Sequence, residues 1–130
     1  MKGLILILVV ACSVYGGGCS GANGFAFCES LTVNHTKVPG NLTNYPALVC
    51  FDPTMGTNCL SNSKQLATQG NGGFLKDSTN GFDFIFTSDS AATVPLAYEA
   101  KFHNLTTGAA ELWVNLPSVS STVDTTIYLF

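Results

Sequence analysis

The chain has 130 residues, 46% of them apolar and only 10% charged, which is enough for one domain with its own core and too few for two of ordinary size. So little charge beside so much apolar residue excludes a disordered chain. Five Lys and Arg stand against eight Asp and Glu, a net charge of −3, so no basic stripe exists to neutralise a row of phosphates and nucleic acid is not an expected partner.

Residues 1–12 begin with one Lys, continue as an apolar run from Leu4 to Ala11 and close on small residues. That is the layout of a secretory signal, and it is too short to span a bilayer. Its end, Val9-Val10-Ala11-Cys12, resembles a bacterial lipobox. Cleavage before Cys12 and lipidation of its sulfur make it an anchor to the envelope membrane. The competing reading is an ordinary signal cleaved near Ala11 or Ser13, with Cys12 incidental. Both readings place the chain outside the cytoplasm, extracellular or at the cell surface. Residues 13–24 are dominated by glycine and read as a flexible tether.

With Cys12 set aside, Cys19, Cys28, Cys50 and Cys59 remain, an even number in an oxidising compartment, and disulfides are the default. Three connectivities are open. The local one closes two loops of ten residues, each worth about 2.5 to 3 kcal/mol by chain entropy. Zinc is the alternative for these cysteines, but both spacings are Cys-x8-Cys and neither His lies at finger spacing from them. No metal site is expected from them.

From residue 25 onward the chain repeats one pattern: a short run of β-branched, aromatic or aliphatic residues, then Gly, Pro, Asn or Asp. The runs FAFCESLTV, NYPALVCF, GFDFIF, VPLAYEAKF, AAELWVNLP and TTIYLF read as antiparallel strands. No long run shows the helical apolar period. Residues 81–102 read as one hairpin, with Phe82, Phe84 and Phe86 on its core face, because successive strand side chains take opposite sides. By the same alternation Leu112, Val114 and Leu116 oppose Glu111, Trp113 and Asn115, which leaves the chain's only Trp on the polar face. Residues 52–73 are polar and loop-like, with at most a short strand or turn around Lys64 to Thr68. The expected fold is all-β: a two-sheet antiparallel β-sandwich of jelly-roll or lectin-like type over residues 25–130.

Several pieces of this pattern are specific: Asn44-Tyr45-Pro46 before an apolar strand, Asp83-Phe84-Ile85-Phe86-Thr87, Tyr98-Glu99, Trp113-Val114-Asn115-Leu116-Pro117 and Thr126-Ile127-Tyr128-Leu129. In this order they resemble the family called domain of unknown function 2341, found in bacterial and archaeal surface proteins, often beside lectin-like sandwich domains. The resemblance runs from about Phe25 to Phe130 and implies a β-sandwich. It brings no catalytic residues. The family continues past its last strand with a Tyr-Gly-Asn-like sequence. This chain stops at Phe130, so it reads as a fragment or as a domain whose final strand is completed differently.

Candidate chemistry is sparse. Asp83 and Glu99, on neighbouring predicted strands, are the one carboxylate pair suited in principle to glycosidic acid–base work; the plainer reading has Asp83 holding the bend of its hairpin and Glu99 on a solvated face. Asp77, Asp83 and Asp89 lie in polar loops where structural calcium is a further reading, without the regular spacing of a dedicated calcium loop. His35 and His103 sit beside no nucleophile motif, and the stretches GGG and GNGG open no predicted helix, so no phosphate cradle and no cofactor are expected. The sequons at Asn34, Asn41 and Asn104 support surface exposure only. Trp113, with Tyr98, Tyr128 and Tyr45, can offer a flat face to a sugar ring, with Asn115 to bond its hydroxyls.

These observations add up to a non-catalytic exported surface module, binding or adhesive, with glycan as its ligand class and Trp113, Asn115, Asp83, Glu99 and Tyr98 as candidate contacts. A structural subunit or spacer of a surface fibre or multidomain surface protein, partnered by neighbouring subunits, is the alternative. A glycan-active enzyme comes third.

Overall fold

The computed structural model describes residues 9–11, 19–51, 59–60, 66–77, 79–81 and 83–130. Among these residues eight strands follow in chain order: β1 (Val9–Ala11), β2 (Glu29–Val33), β3 (Leu42–Phe51), β4 (Phe86–Thr87), β5 (Pro95–Leu96), β6 (Tyr98–His103), β7 (Ala110–Val119) and β8 (Thr125–Leu129). They form two antiparallel sheets, ordered β1-β2-β8-β4-β5 and β3-β7-β6. The described residues contain no α-helix, only one-turn 3-10 segments such as His35–Lys37. The all-β, two-sheet sandwich is therefore the fold.

Strand β7 shows why. Ala110, Leu112, Val114 and Leu116 are buried, while Glu111, Trp113 and Asn115 alternate with them on the other side. In the ladder, Val114, Leu112 and Ala110 stand opposite Ala47, Val49 and Phe51 of β3, so the largest ring meets the smallest partner. From the other sheet Leu31, Val33, Phe86, Ile127 and Leu129 point into the same cluster. Each such side chain contributes about 1.5 to 3 kcal/mol by leaving water, set against the conformational entropy lost in ordering it.

Residues 81–102 depart from the single hairpin expected. Only Phe86–Thr87 and Pro95–Leu96 pair with each other. Past Leu96 the chain changes sheets: the Ala97 carbonyl accepts the Asn115 N–H (2.8 Å), and Tyr98–His103 joins β7. Phe84 and Phe86 are buried with their rings edge to face; Phe82 lies outside the described residues. The bend is held by Asp89 and not by Asp83. Asp89 accepts the N–H groups of Thr93 (3.0 Å) and Val94 (2.9 Å) and the Thr93 hydroxyl (2.6 Å).

Cys19 pairs with Cys28 and Cys50 with Cys59, the local connectivity. The second staple, with a Leu60 N–H donating to the Cys50 carbonyl (2.8 Å), returns the chain to the end of β3. The polar middle segment also feeds the core, through Leu60, Leu66 and Ala67. Sequence alone read it as loop because three apolar residues so spaced follow neither strand nor helix period. Its stretches 52–58 and 61–65 lie outside the described residues, as do residues 1–8 of the leader, Cys12 and the tether over 13–18. Among the described residues no helix is long and apolar enough to cross a membrane.

Candidate functional site

The outer face of the three-stranded sheet gathers the side chains that β7 keeps out of the core. Trp113 stands between Leu48 of β3 and Glu99 of β6, each directly opposite it in the ladder. Directly opposed residues of antiparallel strands share a face. One step along, Glu111 lies between Cys50 and Phe102; on the other side, Asn115 lies beside Pro46. Trp113 is half-buried, Asn115 and Glu99 are exposed, and Phe102 leaves 44% of its surface in water. The result is an apolar strip of Pro46, Leu48, Trp113 and Phe102 edged by carboxylates and an amide.

A bulge shapes one margin of this face. The pairing of β6 with β7 shifts between Ala100 and Phe102, so Lys101 drops out of register, and its ammonium reaches the Glu111 carboxylate at 2.5 Å. Both groups are on the surface, where such a pair adds little stability. Its effect on the face is to cancel the charge of Glu111. Among the described residues, the charge that remains directly opposite Trp113 is that of Glu99.

The other sequence-predicted candidates lie elsewhere. Tyr98 faces the core: its ring packs on Phe84 and Phe86, its hydroxyl donates to the Phe84 carbonyl (3.3 Å), and burial pushes its pKa up. Asp83 accepts the Lys76 N–H at 2.6 Å and the Asp77 N–H at 3.3 Å, which ties it to the backbone that follows Leu75. Asp77 in turn accepts the N–H groups of Thr79 and Asn80. The three aspartates proposed for calcium thus each organise backbone of their own turn, and among the described residues no three His, Cys, Asp or Glu side chains group as a metal set. Tyr45 packs against the core and Tyr128 lies on the five-stranded sheet opposite Ser30.

The two histidines serve connections. His103 places its Nε2 2.7 Å from the Leu66 carbonyl and sets its ring edge-on to Phe84, fastening the middle segment to β6. His35 contacts Asp124 through its ring Nδ1 (2.6 Å) and its N–H (2.9 Å), joining the β2–β3 and β7–β8 connections. Those bonds, the backbone one foremost, hold the Asp124 carboxyl below its ordinary pKa. The sequon asparagines are engaged likewise: Asn34 accepts from Thr36, Asn41 from Ser121 and Asn104 from Thr106 and Thr107.

Sequence reading had no means to place Leu48, Pro46 and Phe102 beside Trp113. Spacing marks Pro46 and Leu48 as outward in β3, whereas plain alternation puts Phe102 on the face opposite Glu99 and only the bulge turns it outward; whom each faces is set by the register alone. A second aromatic feature was likewise hidden: Phe27 and Phe74, both exposed, stack with centroids 3.9 Å apart, each ring covering one face of the other. No family model, no curated protein and no solved structure matches this chain.

Proposed function

We propose that this chain is an exported, non-catalytic surface module that binds glycan on the outer face of β3-β7-β6. The observation that carries this reading is a half-exposed Trp113 seated between Leu48 and Glu99 on an apolar strip. A flat aromatic surface suits the apolar face of a sugar ring, and the Asn115 amide and Glu99 carboxylate at its rim suit the ring's hydroxyls. The leader-like residues 1–12 and the two disulfides support the export part of this reading. Lipid attachment at Cys12 holds the module to the envelope membrane, and mass spectrometry of the exported N-terminus checks it.

A glycan array or polysaccharide pull-down with wild type and Trp113→Ala is the test. The substitution lowers retention about tenfold to thirtyfold, as for an aromatic anchor at the centre of a contact. Glu99→Gln weakens it less. Wild type that retains no glycan, or Trp113→Ala that retains it equally, overturns the reading. Binding without turnover is expected of every glycan bound. Asp83, one half of the Asp83–Glu99 carboxylate pair, has its Oδ2 committed to backbone N–H groups. Hydrolysis lost in the Asp83→Asn, Glu99→Gln double variant would instead favour an enzyme.

A further inference from the structure

Open sheet edges are guarded in natural proteins, because a bare row of N–H and C=O groups templates pairing with another chain. Three edges here carry such guards. β5 is two residues long and begins with Pro95, which has no amide to donate. β3 contains Pro46 and turns left-handed at Asn44 (φ 48°), where its ladder skips a step between Thr43–Ser118 and Tyr45–Leu116. β6 is interrupted by its bulge and carries Lys101 there.

The β2 side of the five-stranded sheet has none of these devices. Glu-Ser-Leu-Thr-Val lacks proline, lysine and bulge, and all five residues pair in unbroken register with β8. Leu31 and Val33 are fully buried, so the strand cannot twist away. Its far side is covered by β1, antiparallel, with Val9 opposite Val33, Val10 opposite Thr32 and Ala11 opposite Leu31. That covering strand is the end of the apolar run that reads as a removable leader.

We propose that β2 is an acceptor edge: when the leader leaves at export, β2 takes an extended, uncharged aliphatic strand from another polypeptide, antiparallel and in the register of β1. The inference rests on removal of the leader and is independent of glycan binding, which uses the outer face of the other sheet. The occupant's chemistry follows from the strand already seated there. Main-chain bonds give strand addition its affinity, and the seated Val-Val-Ala segment brings no charge to the edge.

The test uses the full chain with a protease site placed within residues 14–18, so that nicking cuts the covalent link between β1 and the rest of the domain. A fluorescent peptide of residues 4–11, carrying a solubilising tail, is then added. It is expected to exchange in and to be retained about tenfold more than the same peptide with Val9→Pro and Val10→Pro together. Adjacent residues of an antiparallel strand alternate in bonding to a given neighbour, so one of the two prolines removes a ladder donor. Amide exchange over residues 31–33 rises when the strand is lost and falls when the peptide returns. Self-association of the nicked protein that the peptide inhibits identifies a second copy as donor and upholds the acceptor edge. Equal retention of the two peptides, or retention of neither, overturns it. So does an exported protein whose N-terminal mass shows residues 9–11 still attached.

Discussion

The two sheets are built on different scales. In the three-stranded sheet, β3 and β7 are ten residues each, and their ladder runs from Leu42–Val119 to Phe51–Ala110. The five-stranded sheet is assembled from pieces of two to five residues drawn from both ends and the middle of the chain. A long ladder, broken by a single skipped step at Asn44, needs little outside help, and it leaves its outer face to half-buried Trp113 and exposed Glu99 and Asn115. Short strands rely on what fastens them: the Asp89 bend between β4 and β5, the His35–Asp124 contact, and the paired Ile85 and Phe130 backbones at 3.0 Å.

The sharpest way to break this contrast is to empty the core from each side in turn. Phe86→Ala, in the short-stranded sheet, removes a fully buried ring that packs on Tyr98 and is expected to destabilise by about 3–5 kcal/mol, read as a fall in the urea midpoint. Leu112→Ala, in the long-stranded sheet, is expected to lose about 2–5 kcal/mol. Because both side chains belong to one cluster, each variant unfolds in a single transition. Two separate transitions by fluorescence and circular dichroism would show that the sheets do not share a core.

The staple at the end of β3 comes next. Removing it with Cys50→Ala and Cys59→Ala together is expected to destabilise by about 2.5 to 3 kcal/mol in chemical denaturation, and reduction of wild type, which also opens Cys19–Cys28, should give a larger loss. Trp113→Ala, on the outer face, is expected to change stability by less than about 1 kcal/mol, whatever it does to glycan retention. A loss as large as that of Leu112→Ala would mean that the indole is structural and that the two faces of β7 are not distinct.

The smallest expected effect lies in acid. The Asp89 carboxyl is held below its ordinary value of 3.8, first by the Thr93 hydroxyl and then by the Val94 N–H, and Asp124 is lowered in the same sense. A carboxyl whose folded pKa lies below its unfolded one contributes stability that is complete above the unfolded value and is lost as pH falls through the folded one. Urea midpoints of wild type should therefore drop below about pH 4. In Asp89→Asn the drop should be shallower, with a lower plateau at neutral pH.

The sequence by itself was enough for whatever depends on neighbours along one strand. Alternation in β7 placed Leu112, Val114 and Leu116 inside and Trp113 outside, since the period of two is a local property of extended backbone. Composition and turn residues were enough for an all-β sandwich, and the cysteine spacing kept the local disulfide pairing in view. Partnership across strands was not legible, because register is set by distant segments meeting. That is why the strip of Pro46, Leu48, Trp113 and Phe102, the change of sheet at Ala97 and the use of Asp89 to hold the bend emerge only in the tertiary structure. There the burial of both sheets' inner faces chooses one register, and each outward side chain acquires its neighbours as a consequence.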